Sequence, residues 1–598
     1  MNKLAGIILL TCMAFIQSCS SPSLQQSNAG KVARIYTGWV DSLQNCVLQL
    51  TASVQQKQNL ATIRQHFAAA RLLYKHAEVF AEYYNPSTAK AINGPALDEV
   101  EPDNPEYPTA PTGFQVIEEF IYPQPGSIDY EGLLVQARAL NDAVTRLAMV
   151  SKTLELTDAH IFDAVRLQLF RTITLGISGF DSPIAFLSLP ECKETLLALQ
   201  EYLTVYAGNA GDTAYTNFVK AVNDCTAYIN SNNDFALFNR AVFTAQYINP
   251  LCRKLYRFQK QLGVPFFDES RPLKANAATL FDDGAFNAVF YSSARPGSHS
   301  NEMIYLGEQL FHEVQLSAGG KRSCASCHQP GKSYTDGLAK NNSFDGKNII
   351  RRNTPTILYA ALQGAQFADS RLAYLEDQAK QVIENPDEMH GNLTYAATLL
   401  NKDSSYSNLF EKAFNSKGIT GEKIQQALAA FIRSKAAFTS RFDDYMRGDY
   451  RALTNQEITG FNLFMGKAKC GTCHFTPLFN GNAPPAYVKT ESEVLGVPAL
   501  PKPPYQLDAD EGKYILYKSA PHKHSFKTPT LRNIGNTAPY MHNGVFNTLE
   551  EVLDFYNKGG GTGLGLQVEN QTLPPDELRL TKEEQSAIIA FMKGLTDK

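Results

Sequence analysis

The sequence predicts a mainly α protein: an N-terminal helical bundle, followed by two smaller helical units built on one plan. Three observations carry that expectation. From about Val32 to Gly263 apolar residues recur at intervals of three and four. Beyond it, short blocks of sequence appear twice in the same order. Period-two alternation, the mark of a half-buried strand, is scarce. At 598 residues the chain is too long for one hydrophobic core, so three or more domains are expected.

The first element is a targeting segment. Lys3 precedes an apolar run from Leu4 to Ile16, which ends Ile16-Gln17-Ser18-Cys19. Residues 1–18 read as a lipoprotein-type signal, with Cys19 as the lipidated residue and a Ser/Gln-rich tether over 19–31. An ordinary secretory signal cut nearby is the alternative. The lipoprotein reading places the protein on the periplasmic side, anchored to the membrane through lipid. The apolar run is too short for a stable span, and no later stretch is long enough.

Residues 32–264 form the expected helical domain. Ile63, Phe67, Ala70, Tyr74 and Ala77 make one stripe of a long helix. Phe243, Tyr247, Leu251, Leu255, Phe258 and Leu262 make another, with Pro250 predicted to kink it. Asn93 to Pro111, rich in Pro, Asn and Asp, reads as a loop. Residues 265–299 read as a linker that docks on the next domain. The two repeated units occupy 300–445 and 446–598. Leu306-Gly307 and Leu310-Phe311 in the first answer to Gly460-Phe461 and Leu463-Phe464 in the second. Thr354-Pro355-Thr356 answers to Thr528-Pro529-Thr530. Thr454-x-x-Glu457 and Thr581-x-x-Glu584 are capping boxes that start helices.

Each unit carries one C-x-x-C-H motif: Cys324-Ala325-Ser326-Cys327-His328 and Cys470-Gly471-Thr472-Cys473-His474. This is the attachment signature of a c-type haem. The two thiols add across the haem vinyl groups and the neighbouring imidazole becomes an axial iron ligand. Zinc is disfavoured, because neither motif has a second local ligand pair. The repeated units therefore read as two cytochrome c-like domains holding two covalently bound haems. Of the ten cysteines, Cys12 leaves with the signal, Cys19 carries lipid and four hold haem. Cys46, Cys192, Cys225 and Cys252 remain, either as two disulfides or as four buried thiols. A net charge of −4 and a pI near 6.3 leave no footprint for nucleic acid, and none is expected as a partner.

With these flanks in view, residues from about 270 to 598 resemble the bacterial di-haem cytochrome c peroxidase / MauG family. Both haem motifs match, as do Arg352-Asn353-Thr354-Pro355-Thr356, Leu375-Glu376-Asp377-Gln378-Ala379, Asn385-Pro386-Asp387-Glu388-Met389 and Ala538-Pro539-Tyr540-Met541-His542-Asn543-Gly544. The resemblance implies a peroxidatic first haem and an electron-transfer second haem, with His328 and His474 as proximal iron ligands. It puts Glu388 and Gln378 on the distal side of the first haem as catalytic groups. It puts Asn353, Thr537 and Pro539 where the family binds a calcium ion. It implies hydrogen peroxide as substrate and a small electron-donor protein, a cytochrome c or a cupredoxin, as partner.

Three departures qualify the match. No histidine lies between His328 and Arg352, so the first haem is expected to have an open distal position. The family's inter-haem Trp falls at Ala368, and the only Trp is Trp39. The sixth ligand of the second haem falls at Tyr556, as in MauG-like members, with Met541 as a rival. In the N-terminal region Gly113-Phe114-Gln115-Val116-Ile117-Glu118 resembles the G-x-H-x-x-E motif of imelysin-like helical domains, with Gln115 replacing the histidine. The leading expectation is a di-haem peroxidase that reduces hydrogen peroxide. The alternatives are a MauG-like oxidase of a protein or small molecule, and a non-enzymatic electron-transfer or iron-handling protein.

Overall fold

The computed structural model describes residues 27–598 apart from 102, 123–127, 209–211 and 294–298. Cys12, Cys19, the signal and most of the tether fall outside the described residues. Four long helices of the N-terminal part start where a side chain takes up a free backbone N–H. Ser27 accepts from Gly30, Asn59 from Thr62, Asp129 from Glu131 and Gly132, and Thr157 from His160. The helix Asn28–Gln55 thus begins inside the segment expected to be tether. With Leu60–Tyr84, Tyr130–Ser151, Asp158–Thr174, Ser188–Thr204, Asp212–Ser231 and Asn249–Gln261 it forms the bundle. The stripe from Ile63 to Ala77 is fully buried. The expected kink at Pro250 takes the form of a widened turn: Phe243–Ile248 is wound as a π-helix directly ahead of Asn249–Gln261. Proline lacks the N–H that would continue a regular ladder. Cys46, Cys192, Cys225 and Cys252 are buried free thiols, so among the described residues the disulfide alternative does not occur.

The two C-terminal units repeat one helix crossing. Asn301–Phe311 packs on Gly421–Arg433, and Asn455–Met465 packs on Lys582–Lys593. Both crossings need a glycine. A Cβ on Gly307 would sit 1.9 Å from the Ala427 carbonyl oxygen, and one on Gly460 would sit 1.9 Å from that of Ala587. Thr454 and Thr581 start their helices with the expected capping boxes. The helix Arg441–Arg447 runs across the boundary expected at residue 445. Its Phe442 packs against Phe461, Phe479 and Phe591, so the second unit begins ahead of Ser440. Among the described residues the one sheet is a short antiparallel pair, Ser492–Val494 with Ser525–Lys527.

The hydrophobic cores do not follow the three-part division. The first haem unit has its own core around Leu306, Leu310, Ile424 and Phe431. The N-terminal bundle and the second unit share the other, which also takes in Leu273, Leu280 and Phe286 of the expected linker. Polar contacts cross the same seam. Asn462 Oδ1 accepts from the Ala241 N–H at 3.0 Å, Asn249 Nδ2 donates to Met446 O at 2.9 Å, and Phe180 meets Phe475 edge-on at 6.0 Å.

Candidate active site

Both C-x-x-C-H loops open onto one continuous cavity of about 1,890 Å³. A single ligand pocket spans roughly 300–1,000 Å³, so this space suits two large groups. Cys324, Cys327 and His328 line it from the first unit, and Cys470, Cys473 and His474 from the second. In each motif the backbone turns tightly, with the His N–H donating to the carbonyl of the first Cys at 2.9 Å. That turn brings both thiols and the imidazole to one wall. The four thiols are unpaired. Burial pushes Cys324 and Cys470 up to about 12 and lifts Cys473 well above the ordinary thiol value.

The imidazoles are held alike. His328 Nδ1 donates to the Tyr334 carbonyl at 3.0 Å, and His474 Nδ1 to those of Phe479 and Pro529, each at 3.1 Å. Such bonds fix the tautomer and leave Nε2 as the ligating atom. Burial lowers both pKa values, His474 to about 4, so the rings are neutral, the form that binds metal. Unpaired thiols, oriented neutral imidazoles and a cavity of this size fit a c-type haem at each motif.

The residues expected on the distal side of the first haem also line the cavity. Gln378 projects from the helix Leu375–Glu384. Glu388 follows on the next loop, where Asn385 Nδ2 donates to its Oε1 at 2.9 Å. Burial raises the Glu388 pKa, with the Asn385 bond opposing. Tyr556 and Met541 both line the cavity in the second unit. Burial lifts the Tyr556 phenol strongly, and the neighbouring Cys470, Cys473 and Glu493 add to the rise. Met541 sits at φ 72°. Asn353, Thr537 and Pro539 line the wall where the units meet. Asn353 Nδ2 donates to the Leu338 carbonyl at 2.8 Å, and its N–H to that of His542 at 2.8 Å. Trp39 lies in the bundle, stacked on His76 at 3.9 Å.

Several wall residues carried no signal in the sequence. Lys469, Lys513 and Lys527 face the cavity and make no ion pair among the described residues. Glu493 lies against the Cys473 thiol with its pKa raised by burial. His522 lines the wall with a buried, unpartnered Nδ1, and burial with Lys513 and Lys489 nearby draws it down to about 4. The bundle closes the cavity with Glu82, Asn93, Gln115 and Arg171. Gln115 Nε2 donates to the Asn93 carbonyl at 3.0 Å, and Glu118 pairs with Arg71 at 3.5 Å. Gly113 at φ 96° opens that helix, and a Cβ there would meet the Ile92 carbonyl oxygen at 2.3 Å. No group of three His, Cys, Asp or Glu suited to a metal occurs among the described residues.

Fold and site together define a protein with two c-type haems in tandem cytochrome-like units. Sequence comparison gives the family. Residues 301–451 match the model of the di-haem cytochrome c peroxidase family. The chain is 35% identical over 309 residues to cytochrome-c peroxidase IdrP2 of Pseudomonas sp. (strain SCT), covering 49% of this chain and 81% of that one. It is 34% identical over 295 residues to methylamine utilization protein MauG of Methylorubrum extorquens (49% and 78%) and 32% identical over 295 residues to cytochrome c551 peroxidase of Nitrosomonas europaea (49% and 80%). A solved structure of a MauG-like protein associated with microbial copper homeostasis is 29% identical over 51% of this chain and 93% of that one, with a TM-score of 0.44. The chain belongs to the di-haem cytochrome c peroxidase family.

Proposed function

We propose that this protein reduces hydrogen peroxide to water at the first haem, with electrons that a small redox protein delivers through the second. It is an oxidoreductase of the cytochrome-c peroxidase type. The observation that supports the peroxidase reading is that both Glu388 and Gln378 line the cavity. An electron carrier needs neither. A haem held by Cys324, Cys327 and His328 would supply the iron that binds peroxide and takes up its oxidising equivalents. Glu388 takes the proton from the bound peroxide oxygen and returns it to the departing one. Gln378 donates a hydrogen bond to that departing oxygen. His328, held by its Nδ1 bond to the Tyr334 carbonyl, would present Nε2 to that iron. With no histidine between His328 and Arg352, the first haem of the as-isolated ferric protein should be high-spin and react with peroxide without prior reduction. A wholly low-spin electron paramagnetic resonance spectrum, with reaction only after half-reduction, would overturn this.

Tyr556 supports a second reading, a MauG-like oxidase of a protein or small molecule. The phenol belongs beside the second haem, and iron would have to displace the proton that burial holds on it. A phenolate ligand favours the ferric state, whereas Met541 as a thioether ligand would favour the ferrous one. Tyr556→Phe should abolish the low-spin signal of the second haem, and Met541→Leu should preserve it. A near-infrared His–Met charge-transfer band that disappears in Met541→Leu would reverse the assignment.

Three finer assignments belong to the same proposal. The Asn353 side-chain oxygen and the Thr537 and Pro539 carbonyls suit calcium, a cation that takes oxygen ligands; unchanged calcium content in Asn353→Ala would refute it. Cys19 is lipidated, and an unlipidated N-terminus by mass spectrometry would exclude that. Among the described residues no helix is long and apolar enough to cross a membrane. The bundle is imelysin-like in plan and binds no metal through Gln115, whose amide is engaged with Asn93; metal retained by the bundle in the wild type and lost in Gln115→Ala would contradict this.

A further inference from the structure

Lys527 occupies an unusual place. It ends the strand Ser525–Lys527 of the second unit, opposite Ser492, yet its N–H and its Nζ donate to the first unit. Its backbone N–H donates to the Ala368 carbonyl at 2.7 Å. Its Nζ donates to the Ala365 carbonyl at 3.0 Å and to Gln363 Oε1. Ala368 is the position expected to hold an inter-haem tryptophan, so Lys527 is fastened beside the gap that this small residue leaves. Two residues further along the chain, Pro529 offers its carbonyl to the imidazole of His474. One short segment thus joins the mount of the second haem to the wall of the first.

The ammonium group has no anionic partner. No carboxylate lies within ion-pairing distance among the described residues. The nearest acid that acts on it, Asp369, is already bound to Arg352 at 2.6 Å and Arg371 at 2.9 Å. Burial draws the Lys527 pKa down to about 8, with Asp369 only partly opposing, so near neutral pH the group is still charged. Lys527 is partly buried, and a cation drawn away from water without a counter-charge is costly, so such groups are found paired. Here the side chain faces the cavity that both C-x-x-C-H motifs line. Each haem brings two propionate carboxylates into that space.

We propose that Lys527 binds a haem propionate between the two cofactors, as the counter-charge that sets the reduction potential of the adjacent haem. It is a positioning residue of the di-haem site, and the proposal rests on the peroxidase reading only for its use in turnover. The test uses the full haem-loaded protein and spectroelectrochemical titration of both haems in the parent, Lys527→Met, Lys527→Gln and Lys527→Arg. Removing a nearby positive charge destabilises the electron-rich ferrous state. In both neutral variants the reduction equilibrium of one haem should shift about tenfold toward ferric, 59 mV for one electron. Lys527→Arg should stay within about twofold of the parent. If Lys527→Met fails to take up haem, Lys527→Gln decides, since it keeps a hydrogen-bond donor and loses the charge. Potentials unchanged in the neutral variants overturn the proposal, and so does an equal shift in Lys527→Arg. A parent that fails to turn over peroxide would sink the functional reading and leave these potentials measurable.

Discussion

Glu388→Gln lowers peroxide turnover by about 10²–10⁴-fold, the usual value of a positioned acid–base group. The substitution keeps the size of the side chain and its contact with Asn385, and removes only the ability to carry a proton between the two peroxide oxygens. The haem spectrum should therefore be unchanged while turnover collapses. The pH profile gives a second readout. Glu388 must be ionised to take the first proton. Burial outweighs the opposing pull of the Asn385 bond and holds its pKa above the ordinary carboxylate value. Turnover should rise as pH climbs through that elevated value, and this limb should vanish in Glu388→Gln. Steady-state assays across pH check both statements. Turnover near that of the parent would remove Glu388 from the mechanism.

Asp443→Ala destabilises the second unit by about 3–5 kcal/mol, the cost of leaving a buried charge without its partner. Arg532 is fully buried and donates to both oxygens of Asp443, at 2.8 and 2.9 Å, while its Nε reaches the Pro477 carbonyl at 2.9 Å. Asp443 also accepts from the Ser440 hydroxyl at 2.6 Å. Removing the carboxylate strands the guanidinium against Tyr359, Phe438 and Phe479. The melting temperature of the haem-loaded protein should fall by roughly 6–20 °C. The double variant Asp443→Leu/Arg532→Met should recover much of the loss, because an apolar pair needs no charge compensation. A melting temperature unchanged in Asp443→Ala would refute the account. Acid should mimic it. Burial raises the Asp443 pKa, and the Arg532 charge with the Arg532 and Ser440 bonds overrides this and holds it low. The stabilisation is whole above the pKa of an unfolded aspartate, near 4, and is lost as pH falls through the lower folded value.

Local and repeated features were readable in the chain. The stripe from Ile63 to Ala77 and the capping boxes at Thr454 and Thr581 follow from short-range rules, whereas Gly307 and Gly460 showed only as part of a repeat, their reason being the distant carbonyls of Ala427 and Ala587. The haem mounts were readable because both thioether bonds and the iron–nitrogen bond must close over five adjacent residues. Glu388 and Gln378 needed the family motif, since a loop acid and a helical amide carry no periodic signal. Lys527 was invisible for a different reason. Its importance comes from Gln363, Ala365 and Ala368, far away in sequence, and no spacing rule reports such a meeting. The boundary expected at 445 falls inside the helix Arg441–Arg447, whose place in the second unit rests on contacts of Phe442 with Phe461, Phe479 and Phe591 that no local pattern reports.

The shared core of the bundle and the second unit sets the order of synthesis against the order of packing. The bundle leaves the ribosome first, and the surface that completes it arrives last, after the whole of the first unit. Until then Phe180 and Ala241 lack the neighbours they meet in the finished protein, Phe475 and Asn462, and exposed apolar surface of this kind invites aggregation. The finished bundle also covers the wall that carries His474 and Phe475. Loading of the second cofactor therefore belongs to the interval before closure. Attachment of haem to Cys470 and Cys473 before the bundle docks meets all of these demands in one sequence of events.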